Sequence, residues 1–487
     1  MKRIIYLIGL FSFLSDLVLS QNILWTKFYG GPWPYFDVGN CVISTFDGGY
    51  AIVGETDWRG AGWKDVWLIR TDGSGDTLWT RTYGFSFSDR GRSILELPDR
   101  GFIIVGGCYY ETSYPPPRKP SVYIIRTDQN GDTLWTKVIS SDFDSHIDEG
   151  YSVYQTPDNG FLITGLCTPH VPGGKRVYVL KIDSIGNRQW EKGFGIPGRV
   201  DAQPHKMYPT SDGGFIITGS AESYPDIVDL FIMKFNSSGD TLWSKLYGGS
   251  LLDWGQDVCE TNDGGFIVTG SVDFTFPGYG DLWVLRTDYK GDTIWTKRFG
   301  ISVSSAEGIS ICRASDGGYF IAGRRQNYVY VLRFNQDGDT LWTREIHEFH
   351  GAGYSVSQAY DGDFLITGTG SARDQSSDIF LLKITEQSSG LKQELNPSRF
   401  ELYQNYPNPF NSVTVIKYEI PETNVPIKVS LKIYNILGEE IASLVNKIQT
   451  TGHYEVTFNS LQLTSGIYFY KLHTDNFVLT KKMVLIK

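Results

Sequence analysis

Five aspartates, Asp37, Asp89, Asp148, Asp201 and Asp253, recur at the same point of a repeating pattern, most of them as Asp-x-Gly. On innermost strands they would ring the mouth of a central channel, and carboxylates brought together in that way suit a hard cation or the hydroxyls of a polyol. An Asp at the entry to a strand also has a purely local use, because its side chain accepts bonds from nearby backbone and closes an Asx turn. The turns Asp72 to Asp76, Asp128 to Asp132 and Asp288 to Asp292 bring up calcium for the same reason. They lack the alternating Asp/Asn ladder and the distal Glu of a calcium loop, and a hairpin needs Asp and Gly for backbone reasons alone. No metal centre and no cofactor is therefore expected. Aromatic side chains in the variable connections, Trp58, Trp63, Tyr110, Trp254 and Phe276 among them, suit stacking on sugar rings or gripping a peptide. Machinery for catalysis is not legible: GxSxG does not occur, and His146, His170, His205, His347 and His350 are scattered without HxH or HExxH spacing.

The elements that must position these residues form a repeat. A strand carrying Trp recurs at Trp25, Trp79, Trp135, Trp190, Trp243, Trp295 and Trp342, and a turn leading into an apolar run recurs seven times, from DGGYAIVG at 47–54 to DGDFLITG at 361–368. A fixed spacing of tens of residues is the signature of a repeat architecture. Each unit supplies four strand candidates. In the fifth these are 255–261, 265–271, 281–288 and 292–299. The second and third are apolar almost without alternation, as strands are when both faces of their sheet are covered. Four-stranded units of this length stacked round an axis are propeller blades. The first Trp strand (22–29) precedes any partner and the seventh unit ends without one, so the N-terminal strand is expected to close the ring. The expected fold is all-β: a seven-bladed β-propeller closed by the N-terminal strand over residues 21–386, followed by a small Ig-like β-sandwich.

Composition agrees with that reading. The chain has 487 residues, 14% of them aromatic, with 54 Gly and 4 Met, a balance suited to many short strands joined by tight turns. A net charge of −10 leaves no basic stripe for nucleic acid. Five cysteines without a CxxC pair indicate neither a disulfide framework nor a zinc site. The segment DxxGDTxW, with Gly291 four residues before Trp295, resembles the tryptophan-docking motif of quinoprotein dehydrogenase propellers. The chain has seven units, where those propellers usually have eight, and no adjacent cysteine pair, so the resemblance implies shared packing of blades and not a quinone cofactor.

The two ends speak of export. Lys2 and Arg3 precede an apolar run from Ile4 to Leu14 and small residues before Gln21, the layout of a secretory signal over residues 1–20. No later apolar run is long enough to cross a bilayer, so the mature chain is expected to lack a transmembrane segment. After a polar linker at 387–398, residues 399–487 change to short strands separated by Pro, Gly and Asn. LYQNYPNPFN at 402–411, IYNILGEE at 433–440, SGIYFYKL at 465–472 and the terminal KKMVLIK resemble the type A C-terminal sorting domain of the type IX secretion system. The resemblance implies that Tyr406, Pro407, Asn408, Pro409, Phe410, Asn411, Gly466, Tyr468, Lys481 and Lys482 belong to a sorting motif. It also implies that the secretion machinery is a partner and that the product is secreted or attached to the outer membrane. The expected function is a non-catalytic binding or adhesion module for glycan or protein. The alternative is a secreted hydrolase, lyase or oxidoreductase with its site at the channel mouth.

Overall fold

A computed structural model describes residues 19–486 apart from 32–34, 112–117, 141–148, 169–173, 224–226, 276–278, 300–304, 372–376, 389–399, 406–407, 409, 422–425, 451, 461–462 and 475–476. The expected signal and the expected linker lie almost wholly outside the described residues. The regular elements among those residues are all strands. The chain divides into two compact units, Leu19–Gln387 and a second that holds Ser388–Lys487.

In the first unit the strands form seven four-stranded antiparallel sheets. Sheet 1 is made of Asp37–Ser44, Tyr50–Thr56, Asp65–Thr71 and Thr77–Tyr83, side by side in chain order. Its two middle strands are buried along their whole length, which is why their sequences are apolar at consecutive positions, whereas the fourth is open to solvent at its start. Sheets 2 to 6 repeat the arrangement over residues 89–139, 149–194, 201–247, 252–299 and 306–346. Sheet 7 combines His350–Gln358, Phe364–Ser371 and Asp378–Ser388 with Leu19–Tyr29, which lies beside Asp378–Ser388 as the outermost strand. The leading strand and the short final unit thus share one sheet.

Consecutive sheets bury apolar faces against each other. One core holds Val53 and Leu68 of sheet 1 with Ile104 and Ile125 of sheet 2. Similar cores follow between each later pair, and a last one joins Leu365, Ile379 and Leu381 of sheet 7 to Val42, Ile52 and Ile69 of sheet 1. The first strands of successive sheets touch all the way round, sheet 7 to sheet 1 included. This is a propeller-like, all-β arrangement with the first strands innermost.

The Trp strand couples six of the seven sheets to the next. The ring of Trp243 lies against Gly291, and Trp79 and Trp295 lie in the same way against Gly131 and Gly338. Those glycines have φ near +80°, so both the backbone of the turn and the approach of the indole require Gly. Two residues on, Lys245 pairs with Asp292 at 2.6 Å. The tryptophans expected to dock blades do so on the DxxGD turn of the following sheet, which makes that turn a structural element.

The second unit contains a three-stranded sheet, Glu401–Leu402, Val413–Ile420 and Gly452–Asn459, and a four-stranded sheet, Glu440–Gln449, Ile427–Tyr434, Gly466–Thr474 and Phe477–Leu485. Ile416, Tyr418 and Phe458 of the one share a core with Leu431, Tyr470 and Met483 of the other.

Candidate functional site

The inner strands all carry a bulge at one place, one residue after Gly39, Gly91, Gly150, Pro204, Gly255, Gly308 and Gly353. The extra residues are Asn40, Arg92, Tyr151, His205, Gln256, Ile309 and Tyr354. A bulge re-aims its side chain, and several of these reach the next sheet. Asn40 Nδ2 donates to the Gly91 carbonyl at 2.8 Å, and His205 Nδ1 lies 2.7 Å from the Gly255 carbonyl. Arg92 Nε donates to Glu149 Oε1 at 2.7 Å and Gln256 Nε2 to Glu307 Oε1 at 3.1 Å. Burial pushes the His205 imidazole below its ordinary value against the pull of the Gly255 carbonyl, so this histidine is neutral and structural.

Next to the bulges, at the end of the inner strands remote from the DGG turns, charged groups gather. Arg90 Nε lies 3.1 Å from Glu55 Oε2, and Lys64 Nζ 2.6 Å from Glu55 Oε1. Arg324 Nη2 lies 3.3 Å from Glu307 Oε2. Burial raises the Glu307 carboxyl above its usual range, opposed by Arg324 and Gln256. Tyr354 of sheet 7 feels Arg324 and Glu307 of sheet 6, Glu55 of sheet 1 and Arg92 of sheet 2, so these groups share one polar region. The sequence reading missed this cluster. Its signal lay in the residues flanking the glycines of the first two strands, Arg90 and Arg92 round Gly91, Glu307 before Gly308, Glu55 after Gly54 and Arg324 after Gly323, positions too variable in type to stand out.

The five predicted aspartates fall into three groups. Asp37, Asp89 and Asp253 do recur in register, but they are fully buried and point into the junction with the preceding sheet, not round a channel mouth. Strand alternation is the reason, since Asp37 shares its side with Gly39, which packs on Thr367 and Ile379 of sheet 7. Each carboxylate holds the connection ahead of it: Asp37 Oδ2 accepts from Gly31 N at 2.9 Å, Asp89 Oδ2 from Phe85 N at 2.6 Å and Asp253 Oδ2 from Gly249 N at 2.7 Å. Asp201 stands one residue before the slot. Ala202 occupies it, as its amide bond to the Lys175 carbonyl shows by analogy with those of Asp37 and Asp89. Asp148 lies outside the described residues.

Among the aromatics, Trp63 is 69% exposed and meets Phe87 edge-on with ring centroids 6.2 Å apart. Trp58 is half-buried on Gly31, with the Arg59 guanidinium 3.7 Å above its ring. Trp254 is half-buried within an inner strand, beside Ser271 and not on a loop. Phe276 and the side chain of Tyr110 lie outside the described residues.

In the second unit the 408–410 segment is bonded to the 484–486 segment. Asn408 Oδ1 accepts from Val484 N at 2.8 Å, Phe410 N donates to the Val484 carbonyl at 2.9 Å, and Ile486 N donates to the Phe410 carbonyl at 2.8 Å. Phe410 and Tyr468 are buried, Lys481 is half-buried, and Asn411, Gly466 and Lys482 are exposed. Tyr406, Pro407 and Pro409 lie outside the described residues.

Residues 404–487 match the family described as secretion system C-terminal sorting domain. This segment is therefore a type IX C-terminal sorting domain, and the chain it ends is targeted to the cell surface or the extracellular space. No curated protein sequence matches the chain. Among solved structures it is similar to PorZ, a surface component of the type IX secretion system of Porphyromonas gingivalis, at 12% identity and a TM-score of 0.41, over 90% of this chain. It spans 58% of the length of PorZ. A protein of unknown function from Dyadobacter fermentans matches over 75% of this chain and 99% of its own, at 12% identity and a TM-score of 0.45. Among the described residues no helix is long and apolar enough to cross a membrane.

Proposed function

We propose that residues 19–387 are a seven-bladed β-propeller closed by its own N-terminal strand, and that it serves as a non-catalytic binding module for glycan or protein. An Ig-like sorting domain would deliver it to the cell surface. The closure reading is supported by the shared core between sheets 7 and 1. The observation that carries the binding reading is Trp63, a large indole held open to solvent beside Phe87 on adjoining connections of sheets 1 and 2. An exposed indole paired edge-on with a second ring offers an aromatic platform that suits sugar rings or a peptide. The charges at the inner-strand ends are already matched, Arg92 with Glu149 and Arg324 with Glu307, as fits a recognition surface better than a poised acid and base.

The test is an array of polysaccharides and peptides probed with the exported chain. Binding is expected, and Trp63→Ala is expected to weaken it about tenfold or more. Turnover of any of these compounds that is lost in Glu307→Gln would replace this reading with that of an enzyme at the channel mouth. Absence of binding to every member would remove the module reading.

A further inference from the structure

Three sheet junctions place two aspartates face to face around one glycine. Between sheets 1 and 2, Asp65 Oδ1 and Asp89 Oδ2 lie 2.1 and 2.6 Å from the point where a Cβ on Gly84 would stand. Asp378 and Asp37 meet at Gly30 in the same way between sheets 7 and 1, and Asp229 and Asp253 meet at Gly248 between sheets 4 and 5. The backbone repeats as well, since Asp89 N donates to the Lys64 carbonyl and Asp37 N to the Ser377 carbonyl.

The three pairs differ in what balances their charge. At Gly248, Arg199 forms an ion pair with Asp229, and both oxygens of Asp253 accept backbone amides. At Gly84, among the described residues, no basic side chain pairs with either carboxylate. Asp65 is 1% exposed and Asp89 0%, yet Asp65 Oδ1 and Asp89 Oδ1 are buried without a hydrogen-bond partner. Asp37 Oδ1 and Asp378 Oδ1 are buried and unpartnered too. Two ionised carboxylates at this separation repel, and burial makes the repulsion costly, so such a pair needs a positive charge from somewhere.

We propose that Asp65 and Asp89 hold a hard divalent cation of the Ca²⁺ class between sheets 1 and 2. The cation would do there what Arg199 does between sheets 4 and 5. The donors are all oxygens, which selects a hard ion. Asp65 Oδ1 is free to bind, and on Asp89 the free atom is Oδ1, because Oδ2 also accepts from Phe85 N; an ion shared by the two carboxylates would sit at ligand distances of about 2.3–2.6 Å. Among the described residues no three His, Cys, Asp or Glu come together, so backbone carbonyls and water complete the shell.

The experiment uses the full chain, stripped with EDTA, exchanged into chelator-free buffer at pH 7.5 and titrated with CaCl₂ by calorimetry and thermal melting. Saturable binding and a rise in Tm of a few degrees are expected. Asp65→Asn and Asp89→Asn should each lose one binding site, and Asp229→Asn none. In EDTA, Asp65→Asn should melt at or above the wild-type temperature because one of two repelling charges is gone. No heat and no change in Tm up to about 10 mM Ca²⁺, well above the ~1 mM dissociation constants of weak extracellular modules, would overturn the proposal. So would calcium binding that is unchanged in both Asp65→Asn and Asp89→Asn. Neither result touches the Trp63 surface, which is tested separately.

Discussion

Arg70, Arg126, Lys181, Lys234, Arg286, Arg333 and Lys383 occupy one position in the third strand of the seven sheets, and each pairs with the Asp of its own DGG-type turn. Arg333 is the most buried, 1% exposed, and donates to the Phe334 carbonyl at 2.7 Å and the Tyr319 carbonyl at 3.3 Å as well as to Asp316. Its head therefore ties the turn to two strands, while the carboxylate partner stays open to water. Arg333→Leu is expected to cost about 2–4 kcal/mol, because two buried carbonyls lose their donor. Asp316→Asn should cost less than that, since Asn keeps an acceptor for the guanidinium and the carboxylate is partly solvated, but it leaves the buried Arg333 charge without its counter-ion and so is not neutral. Chemical denaturation of the two variants checks the order. The turn aspartates were legible in the sequence as turn residues. Their basic partners were not, because a cation in a strand buried on both faces contradicts the apolar pattern from which the strand is recognised.

At the scale of the element, Leu19–Tyr29 is the strand on which closure depends. Tyr29 Oη donates to the Gly75 carbonyl at 2.6 Å and Lys27 pairs with Asp76 at 2.7 Å, so the strand belongs to sheet 7 while gripping sheet 1. Removing residues 19–29 would expose the edge of Asp378–Ser388, an apolar strand otherwise covered, and an open edge of that kind templates pairing between chains. The truncated chain is expected to elute as oligomers or aggregates where the intact chain elutes as one species, and size-exclusion chromatography decides it. Phase alone made this strand legible, since a lone Trp strand preceded the first unit and the last unit lacked one. The inner-strand aspartates show the limit of such reasoning. Their recurrence was visible, but whether they faced a channel or a sheet junction depended on strand alternation relative to Gly39, and the one-residue offset of Asp201 depended on a register that only pairing with residues 215–223 fixes.

For the whole first unit, two sets of carboxylates set opposite limits on stability. Burial pushes Glu96 and Asp89 up to about 7. Asp158 and Asp212 are pulled up by burial too, but hydrogen bonds from Thr156 and Lys181, and from Lys234 and Thr210, outweigh it and hold both at about 2. Unfolded Asp and Glu titrate at about 3.9 and 4.3. Ionisation of the first set therefore opposes folding above pH 7, and that opposition is relieved as pH falls from 8 towards about 4. The second set contributes stability that is complete above about pH 4 and is lost as pH falls towards 2. With EDTA present to keep Asp65 and Asp89 free of metal, the urea midpoint should rise from pH 8 to pH 5 and fall steeply below pH 4. Glu96→Gln keeps an acceptor for the Phe46 amide while removing the titration, so it should flatten the upper limb and leave the acid limb in place. Asp212→Asn should do the reverse. A midpoint that falls between pH 8 and pH 5 would mean that these buried carboxylates are compensated in solution.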